Sequence, residues 1–334
     1  MKILISSHAF APSIGGIETV SALLAAEFVR SGHEVAVVTQ TGGESEEQFS
    51  FRVLRQPSLG ELSRVLRWCD IFWQNNLSLR TLWPAFFLRT PIVITHQGSY
   101  CRRPSGIDLV QRMKHAVVQH TTSVAISAAV AACFEVRSQI IPNPFDARLF
   151  APGPAATDRP NELIFVGRLV TEKGLDVLLG ALEQLQISAG LTIVGAGPEL
   201  AATQDLTAQL GLSDRVTFAG PQRGADLVAL LLQHQILVVP SRYDEPFGVV
   251  ALEGIACGCV VVGSSGGGLP EAIGPCGLTF PNGNAAALAA LLEELLSEPN
   301  ECARLAANAR QHLARFHPAV IAQAYLHLFQ TKLR

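Results

Sequence analysis

Two cations in the second half of the chain have a spacing that suits the binding of an anionic ligand. Arg168 follows an apolar run that ends at Val166, and Lys173 lies just before Gly174. A guanidinium group can donate two hydrogen bonds to a phosphate, and an ammonium group adds a mobile positive charge. The pair therefore predicts a diphosphate site. For these residues alone, a solvated loop with an ion pair to Glu172 is an equally good interpretation.

Two glutamates, Glu245 and Glu253, lie in the segment 244–253, with the sequence DEPFGVVALE. Glu245 is in a loop after a predicted strand, where a carboxylate can face a ligand. Glu253 is two turns into an apolar helix, where a carboxylate needs a partner such as the hydroxyl pair of a ribose. Without the other motifs, a capping role for Glu245 and an exposed Glu253 are the simpler interpretation.

A glycine pair in the first half is a second candidate for contact with an anion. Gly15 and Gly16 end the segment APSIGG at 11–16, between the first predicted strand and the first predicted helix. Glycines there let backbone N–H groups approach an anion at a helix N-terminus. A tight strand-to-helix connection is the more common role of such a pair.

The elements that must position these residues alternate between short apolar runs and helical stretches rich in Ala and Leu. This rhythm is typical of βαβ units and predicts an α/β fold with parallel sheets. In the first half we predict a helix at about Glu18–Ser31 and strands at Lys2–Ser6, Glu34–Thr39, Ile71–Gln74, Ile92–His96, Ser123–Ile126 and Gln139–Ile141. In the second half we predict strands at Glu162–Val166, Leu191–Val194, Val216–Ala219, Ile236–Val239 and Val260–Gly263, and helices near Leu175–Ile187, Glu199–Leu210, Gly224–Leu232, Val249–Ala256 and Ala285–Ser297.

A region dense in proline separates the two halves. Pro142, Pro144 and the run at 151–160 cannot continue a helix or a central strand. We therefore expect a first domain at 1–150 and a second domain at 151–317. Each would be a doubly wound, Rossmann-like sheet that binds ligands at the carboxyl ends of its strands. Two such sheets facing each other predict an interdomain cleft.

The composition excludes several classes of protein. The 25 Lys and Arg against 28 Asp and Glu give a net charge of −3, which disfavours a nucleic-acid partner. The seven cysteines include no C-x-x-C pair, so we expect neither a zinc ribbon nor a disulfide framework. The absence of Asp-x-Asp predicts that no metal holds a diphosphate. No apolar run suits a signal peptide or a membrane span, so we expect a cytoplasmic location.

Four segments together resemble the retaining nucleotide-sugar glycosyltransferases of family 4, which have the two-domain GT-B fold. They are 12–18 (PSIGGIE), 167–174 (GRLVTEKG), the glutamate pair from Glu245 to Glu253, and 267–271 (GGLPE). The resemblance covers most of the chain. It implies a UDP- or GDP-sugar as donor, a glycan, lipid-linked or small-molecule acceptor, and no cofactor.

The resemblance also assigns residues to the donor nucleotide. It implies that Gly16, next to Gly15, donates its N–H to the donor diphosphate. It implies that Arg168 and Lys173 neutralise this diphosphate and that Glu253 holds the ribose. It further implies that a last helix, at about 318–334, packs back on the first domain.

For the reacting sugar, the resemblance points to both halves of the chain. Glu245 is expected to face the transferred sugar, with three backbone amides nearby, those of Phe247, Gly248 and Val249. His96 resembles the first-domain histidine that contacts the donor sugar near its reacting end. Its local sequence Thr-His-Gln-Gly departs from the commoner His-Gly pairing.

Several alternatives remain at this point. A nucleotide-sugar 2-epimerase shares the expected architecture, and a catalytically silent subunit could bind the nucleotide sugar without turnover. The glycines of 195–197 (GAG) suggest a dinucleotide oxidoreductase, but Leu200 stands where the third glycine of that motif is required. The cations of 101–104 and 112–115 could meet an anionic acceptor or a membrane surface, although a solvated loop and helix face explains them more simply.

Overall fold

The computed structural model of the protein divides into two compact units. Unit 1 consists of Met1–Pro144 and Phe316–Arg334, and unit 2 consists of Phe145–Arg315. The structure describes residues 1–13, 15–43, 48–88, 90–98, 116–134, 136–153 and 159–333.

Among its described residues, unit 1 forms a parallel sheet of seven strands in the order β3-β2-β1-β4-β5-β6-β7. The strands are β1 (Lys2–Ser6), β2 (Glu34–Thr39), β3 (Arg52–Arg55), β4 (Ile71–Asn75), β5 (Ile92–His96), β6 (Thr122–Ala125) and β7 (Gln139–Ile140). The helices between them are α1 (Gly16–Arg30), α2 (Leu59–Trp68), α3 (Leu79–Leu82), a 3₁₀ turn at Trp83–Phe87, and α4 (Ala128–Ala131). The strand order reverses between β1 and β4, which is where open α/β sheets bind ligands.

Unit 2 repeats this design with six parallel strands in the order β10-β9-β8-β11-β12-β13. The strands are β8 (Asn161–Val166), β9 (Leu191–Val194), β10 (Val216–Gly220), β11 (His234–Val239), β12 (Val260–Ser264) and β13 (Gly277–Phe280). The helices are α5 (Leu175–Gln184), α6 (Leu200–Gln209), α7 (Gly224–Gln233), α8 (Val249–Ala256), α9 (Leu269–Ile273), α10 (Ala285–Ser297), α11 (Pro299–Ala306) and α12 (Ala309–Ala314). The predicted α/β class with two doubly wound parallel sheets is confirmed.

The central strands are apolar on both faces because helices cover both sides of each sheet. In β1, Ile3 and Ile5 pack into the core under α1, whereas Leu4 packs into the core under α2. All three side chains are fully buried. Continuous apolar runs, rather than alternating ones, are what a buried parallel strand requires.

The last helix, α13 (Pro318–Leu333), packs on the sheet of unit 1 against α1. Its Tyr325 lies 4.8 Å from the ring of Trp73, measured between centroids, and Phe329 lies 5.8 Å from Phe28. The Thr95 hydroxyl accepts a hydrogen bond of 2.9 Å from the indole N–H of Trp73 and shares a second, also 2.9 Å, with the Tyr325 hydroxyl. Buried aromatic packing and a satisfied polar triad thus hold this helix in place.

Two expectations from the sequence concern disulfide bonds and membrane-spanning segments. Five cysteines are buried free thiols, whereas Cys133 is disulfide-bonded, a feature that cysteine spacing did not indicate. Within the described ranges, no helix has both the length and the apolar character that crossing a membrane demands. The basic segments 101–104 and 112–115 lie outside the described residues.

Candidate functional site

Lys173 and Glu245, predicted separately, form a direct ion pair. The Lys173 ammonium donates to both carboxylate oxygens of Glu245, at 2.8 Å to Oε2 and 3.0 Å to Oε1. Ser241 donates its hydroxyl proton to Oε2 at 2.8 Å. Glu245 is only 8% exposed, so solvent screens this pair less than it screens a surface ion pair.

Two strand-to-helix loops bring this pair together. Lys173 ends a 3₁₀ turn between β8 and α5, and Glu245 lies between β11 and α8. Strands β8 and β11 are neighbours at the point where the strand order of unit 2 reverses, so their loops emerge side by side. The backbone N–H of Arg242 donates to the carbonyl of Glu172 at 2.9 Å and ties the two loops together.

Gly174 allows the close approach of these loops. Its φ of 69° is left-handed, and a Cβ atom at this position would collide with the carbonyl oxygen of Pro240. Only glycine satisfies both conditions without strain. The Lys173-Gly174 pair therefore combines a charge with the backbone shape that delivers it to Glu245.

Tyr243 completes the surroundings of the ion pair and was not found by sequence reasoning. The Lys173 ammonium donates to the Tyr243 hydroxyl at 3.4 Å and lies 5.4 Å from the ring centroid. Burial and the nearby Glu245 charge raise the pKa of Tyr243 far above its usual range. The phenol therefore stays neutral and offers a hydroxyl group beside the ion pair. Its only sequence signal is its position between the end of β11 and Glu245.

Arg168 lies exposed in the loop after β8. Among the described residues, its guanidinium group makes no hydrogen bond or ion pair, and neither Arg168 nor Lys173 pairs with Glu172 as the simpler interpretation would require. Its positive charge still acts on Tyr243 and opposes the rise in that pKa. The site thus holds one cation that is engaged and one that is available.

The loop of Arg168 is held by the glycines of 195–197. The N–H of Leu169 donates to the carbonyl of Ala196 at 3.0 Å. A Cβ atom at Gly195 would collide with the carbonyl oxygen of Gly167, and one at Gly197 with that of Leu169. Close backbone packing therefore explains this glycine pair without a dinucleotide.

Glu253 occupies the helix that Glu245 precedes, as the sequence predicted. The residue is half-buried, and burial together with the negative charge of Asp146 raises the pKa of its carboxyl group to about 7. No side chain in the described part of the chain donates a hydrogen bond to this carboxylate. A hydroxyl-bearing ligand would lower the free energy of its ionised form.

The N-terminus of α8 presents backbone amides next to Glu245. Gly248, with a φ of 95°, caps the helix, Val249 is its first residue, and Phe247 is buried. The first N–H groups of a helix have no partner within the helix and carry a partial positive charge. The resemblance assigns the amides of these three residues as donors to the sugar, and this role stays a prediction.

The segment 267–271 supports Glu245 from behind. The N–H of Gly268 donates to the carbonyl of Glu245 at 2.7 Å, and Gly267 forms a parallel β-bridge with Glu245. Gly267 has a φ of 75°, and a Cβ atom there would collide with the Glu245 carbonyl oxygen. This motif therefore positions the carboxylate through the backbone.

The first-half candidates lie in unit 1. Gly15 caps α1 and Gly16 is its first residue, where a Cβ atom would meet nothing within 4 Å. His96 is fully buried, with Nε2 3.0 Å from the Ser123 hydroxyl and its ring stacked 3.9 Å from Phe134, measured between centroids. A side chain at Gly16 would thus meet open space, whereas one at Gly15 would collide with the Glu18 carboxylate, and the His96 imidazole is packed inside unit 1.

A buried amide network that sequence reasoning missed fixes the start of α1. The Asn75 side chain donates to the Ser21 hydroxyl at 2.7 Å and to the Ile17 carbonyl at 3.4 Å. Gln97, next to His96, donates to Asn75 at 2.6 Å and exchanges hydrogen bonds of 3.0 and 2.8 Å with Asn143. Such fully satisfied networks rigidify the groups that they connect. The helix N-terminus at Gly16 is thereby tied to the ends of β4 and β5.

In the part of the chain that the structure describes, no group of three or more His, Cys, Asp or Glu side chains could hold a metal ion.

Comparisons with known proteins agree with this geometry. Residues 150–312 match the model of the family Glycosyl transferases group 1. The D-inositol 3-phosphate glycosyltransferase of Stackebrandtia nassauensis is 34% identical over 199 residues, which are 53% of this chain and 45% of that protein. The glycogen synthase of Mycobacterium tuberculosis is 38% identical over 175 residues, 51% of this chain and 41% of that protein. The matches thus span under half the length of either relative.

Two solved structures show the same fold over nearly the whole chain. Anabaena HepE in complex with UDP and glucose is 24% identical, with a TM-score of 0.84 over 99% of this chain and 100% of that chain. The sucrose-phosphate synthase of Thermosynechococcus elongatus is 23% identical, with a TM-score of 0.80 over 99% and 98% of the two chains. The fold is therefore the two-sheet GT-B fold, and within unit 2 residues 150–312 match the group 1 glycosyl transferase family model.

Proposed function

We propose that the chain is a retaining, metal-independent glycosyltransferase that moves a hexosyl unit from a UDP- or GDP-sugar to a glycan, lipid-linked or small-molecule acceptor. The observation that carries this proposal is the Lys173–Glu245 pair at the strand-order reversal of unit 2. Open α/β sheets bind ligands at this point, and the residues there combine positive charge with a carboxylate.

The cations would stabilise the departing nucleotide. As the bond to the sugar breaks, negative charge grows on the diphosphate, so a preorganised cation gains interaction energy in the transition state. Arg168 has no competing ion pair among the described residues, and Lys173 can turn from Glu245 to the phosphate oxygens. Released from this cation, the Glu245 carboxylate could accept hydrogen bonds from sugar hydroxyl groups.

The nucleoside end of the donor would be held by Glu253. Its carboxylate lacks a side-chain donor among the described residues, and two adjacent ribose hydroxyl groups supply two donors. The UDP bound to Anabaena HepE, a protein of the same fold, supports a uridine donor in particular. The amides at the start of α8 and at Gly16 would add donors for the sugar and the diphosphate.

Retention of configuration and metal independence follow the family resemblance. No positioned second carboxylate was found in the first half of the sequence, which favours attack on the face from which the nucleotide leaves. Two cations and two helix N-termini supply the positive charge that a metal ion would otherwise supply. We further propose that the protein works in the cytoplasm.

The proposal is tested by incubating the protein with a panel of UDP- and GDP-hexoses and acceptor mixtures. Release of nucleoside diphosphate, coupled to an α-linked product from an α-linked donor in NMR spectra, is the expected result. The rate should stay unchanged in EDTA, and loss that Mg²⁺ or Mn²⁺ restores would contradict metal independence. Donor consumption without acceptor product would instead indicate a 2-epimerase. Tight donor binding without consumption would indicate a silent subunit.

A further inference from the structure

Three aromatic side chains of unit 1 lie in solvent within a single turn. In the 3₁₀ turn Trp83–Phe87, the exposed fractions are 49% for Trp83, 48% for Phe86 and 81% for Phe87. The rings of Trp83 and Phe87 meet edge to face, with centroids 6.1 Å apart. Large apolar side chains grouped on a surface mark an interaction site more often than single ones do.

The turn holds its aromatic rings outward because its small residues are anchored. Leu82, Pro84 and Ala85 are buried, and Leu88 packs against the same core under α2. The small residues Pro84 and Ala85 thus face the core, while the aromatic residues face solvent. Because large aromatic side chains are usually buried, their exposure here indicates a surface that contacts a partner.

The charges that flank this turn in the sequence have one sign. Arg80 is exposed on α3, one helical turn before Trp83. Between Asp70 and Asp108 the sequence has four arginines and no Asp, Glu or Lys. Helix α2, which contacts the turn, adds two arginines and one glutamate. The surface therefore complements a negatively charged partner.

The size of the surface favours a membrane over a protein partner. At about 200 Å² for each aromatic side chain, the exposed fractions leave roughly 350 Å² of aromatic surface. A stable protein interface buries about 800 Å² on each side. Trp and Phe next to Arg are instead the combination that peripheral proteins insert at the headgroup level of anionic bilayers.

We propose that Trp83, Phe86 and Phe87 insert into the headgroup region of an anionic phospholipid membrane, with Arg80 meeting the lipid phosphates. This inference goes beyond the proposed function and does not depend on it. Insertion of this turn would hold unit 1 at a membrane surface.

Vesicle co-sedimentation of the full chain tests the proposal. The probes are vesicles of phosphatidylcholine alone and vesicles in which phosphatidylglycerol replaces one third of this lipid. We expect binding to the anionic vesicles only, weakened by salt, and about tenfold or more weaker in Trp83→Ser/Phe87→Ser and severalfold weaker in Arg80→Gln. Val320→Ser, which changes a side chain 51% exposed on α13, is the matched control and should bind like the wild type.

Tryptophan emission gives a second readout. Trp73 is buried in the core and Trp68 is half-buried, so a blue shift on adding anionic vesicles should come mainly from Trp83 and disappear in Trp83→Phe. The proposal is overturned if the wild type ignores anionic vesicles, or if the double variant binds them as well as the wild type does. It is also overturned if the wild type sediments as a dimer without lipid and the double variant as a monomer. Single Phe87→Ser replaces the double variant if the latter unfolds.

Discussion

At the scale of single residues, the two cations of the candidate site differ in how they are held. Lys173 is bound to both oxygens of a nearly buried carboxylate, and Arg168 has no such partner in the described part of the chain. The ion pair of Lys173 therefore contributes to the folded state, whereas the charge of Arg168 would contribute only when an anionic ligand is bound.

Replacing each cation should separate these two contributions. We expect Arg168→Ala and Lys173→Ala each to lower kcat/KM for the donor by about tenfold to a thousandfold. Only Lys173→Ala should also lower the free energy of unfolding, by about 1–3 kcal/mol, because it leaves the Glu245 carboxylate buried without its cation. Urea unfolding and donor turnover measure the two effects. Lys332→Ala, an exposed change on α13, is the control, and wild-type turnover in either site variant would refute the assignment.

The raised pKa of Glu253 predicts a dependence of stability on pH. Below about pH 4.5 the carboxyl group is neutral in both the folded and the unfolded chain and costs nothing. As the pH rises through the folded-state pKa of about 7, the unfolded chain ionises more easily, so the folded state loses relative stability. Glu253→Gln should therefore be more stable than the wild type above pH 7, by at most about 3 kcal/mol because the residue is only half-buried.

Urea unfolding of both proteins between pH 4.5 and 8 checks this expectation. The two curves should meet at the acidic end and separate toward the basic end. Glu294→Gln, an exposed change on α10, is the control and should follow the wild type throughout. A constant difference between wild type and Glu253→Gln at every pH would show that the carboxyl group does not titrate in this range.

At the scale of elements, the site depends on backbone shapes that only glycine adopts easily. Gly174 and Gly211 have nearly equal φ values, 69° and 68°, but a Cβ atom meets the Pro240 carbonyl at Gly174 and nothing within 4 Å at Gly211. We expect Gly211→Ala to cost about 1 kcal/mol of stability from backbone strain alone. Gly174→Ala should cost about 3 kcal/mol or more and also reduce donor turnover.

Thermal and urea unfolding of these two variants, with turnover assays, compare strain with steric conflict. Equal losses for the two variants would mean that the loops of β8 and β11 can separate without cost. In that case the close approach of Lys173 to Glu245 would not depend on Gly174.

Much of the fold could be predicted from local patterns, and the strands that could not are short and lie at a sheet edge. Strands such as Lys2–Ser6 and Glu34–Thr39 are long apolar runs between helices, and their predicted bounds are those observed. By contrast, β3 (Arg52–Arg55) and β13 (Gly277–Phe280) are four-residue edge strands, whose apolar residues are too few to form a pattern. Helix α2 was also not predicted.

Within the candidate site, residue type was predictable and pairing was not. The charged candidates can be recognised because a charged side chain beside an apolar segment needs a partner or a ligand. They are Arg168, Lys173, Glu245 and Glu253. That Lys173 would bind Glu245 depends on two neighbouring strands that are distant in the chain. Tyr243 lies beside Lys173 only because these two strands are neighbours, so no local sequence pattern indicates its role.

At the scale of the whole molecule, unit 1 combines two distant parts of the chain, and its core is completed by α13. All three tryptophans belong to unit 1, so tryptophan emission reports on this unit alone, whereas circular dichroism reports on both. Deleting residues 316–334 removes Tyr325 and Phe329 from that core. We expect the truncated protein to lose the native emission of unit 1 while unit 2 keeps a cooperative transition in circular dichroism.

A matched variant in the same helix makes this experiment specific. Val320→Ala changes an exposed position of α13 and should preserve the native emission. Native tryptophan emission in the truncated protein would instead show that α13 is dispensable for unit 1.

The return of α13 to unit 1 also sets an order of events on the ribosome. Unit 2 is continuous in the chain, so all of its strands can leave the exit tunnel and assemble while α13 is still being synthesised. The sheet of unit 1 emerges earlier, but part of one apolar face stays uncovered until the whole of unit 2 and then α13 have been translated. The part of the protein that is made first is therefore the part that matures last, and during this interval it is the natural client for a chaperone.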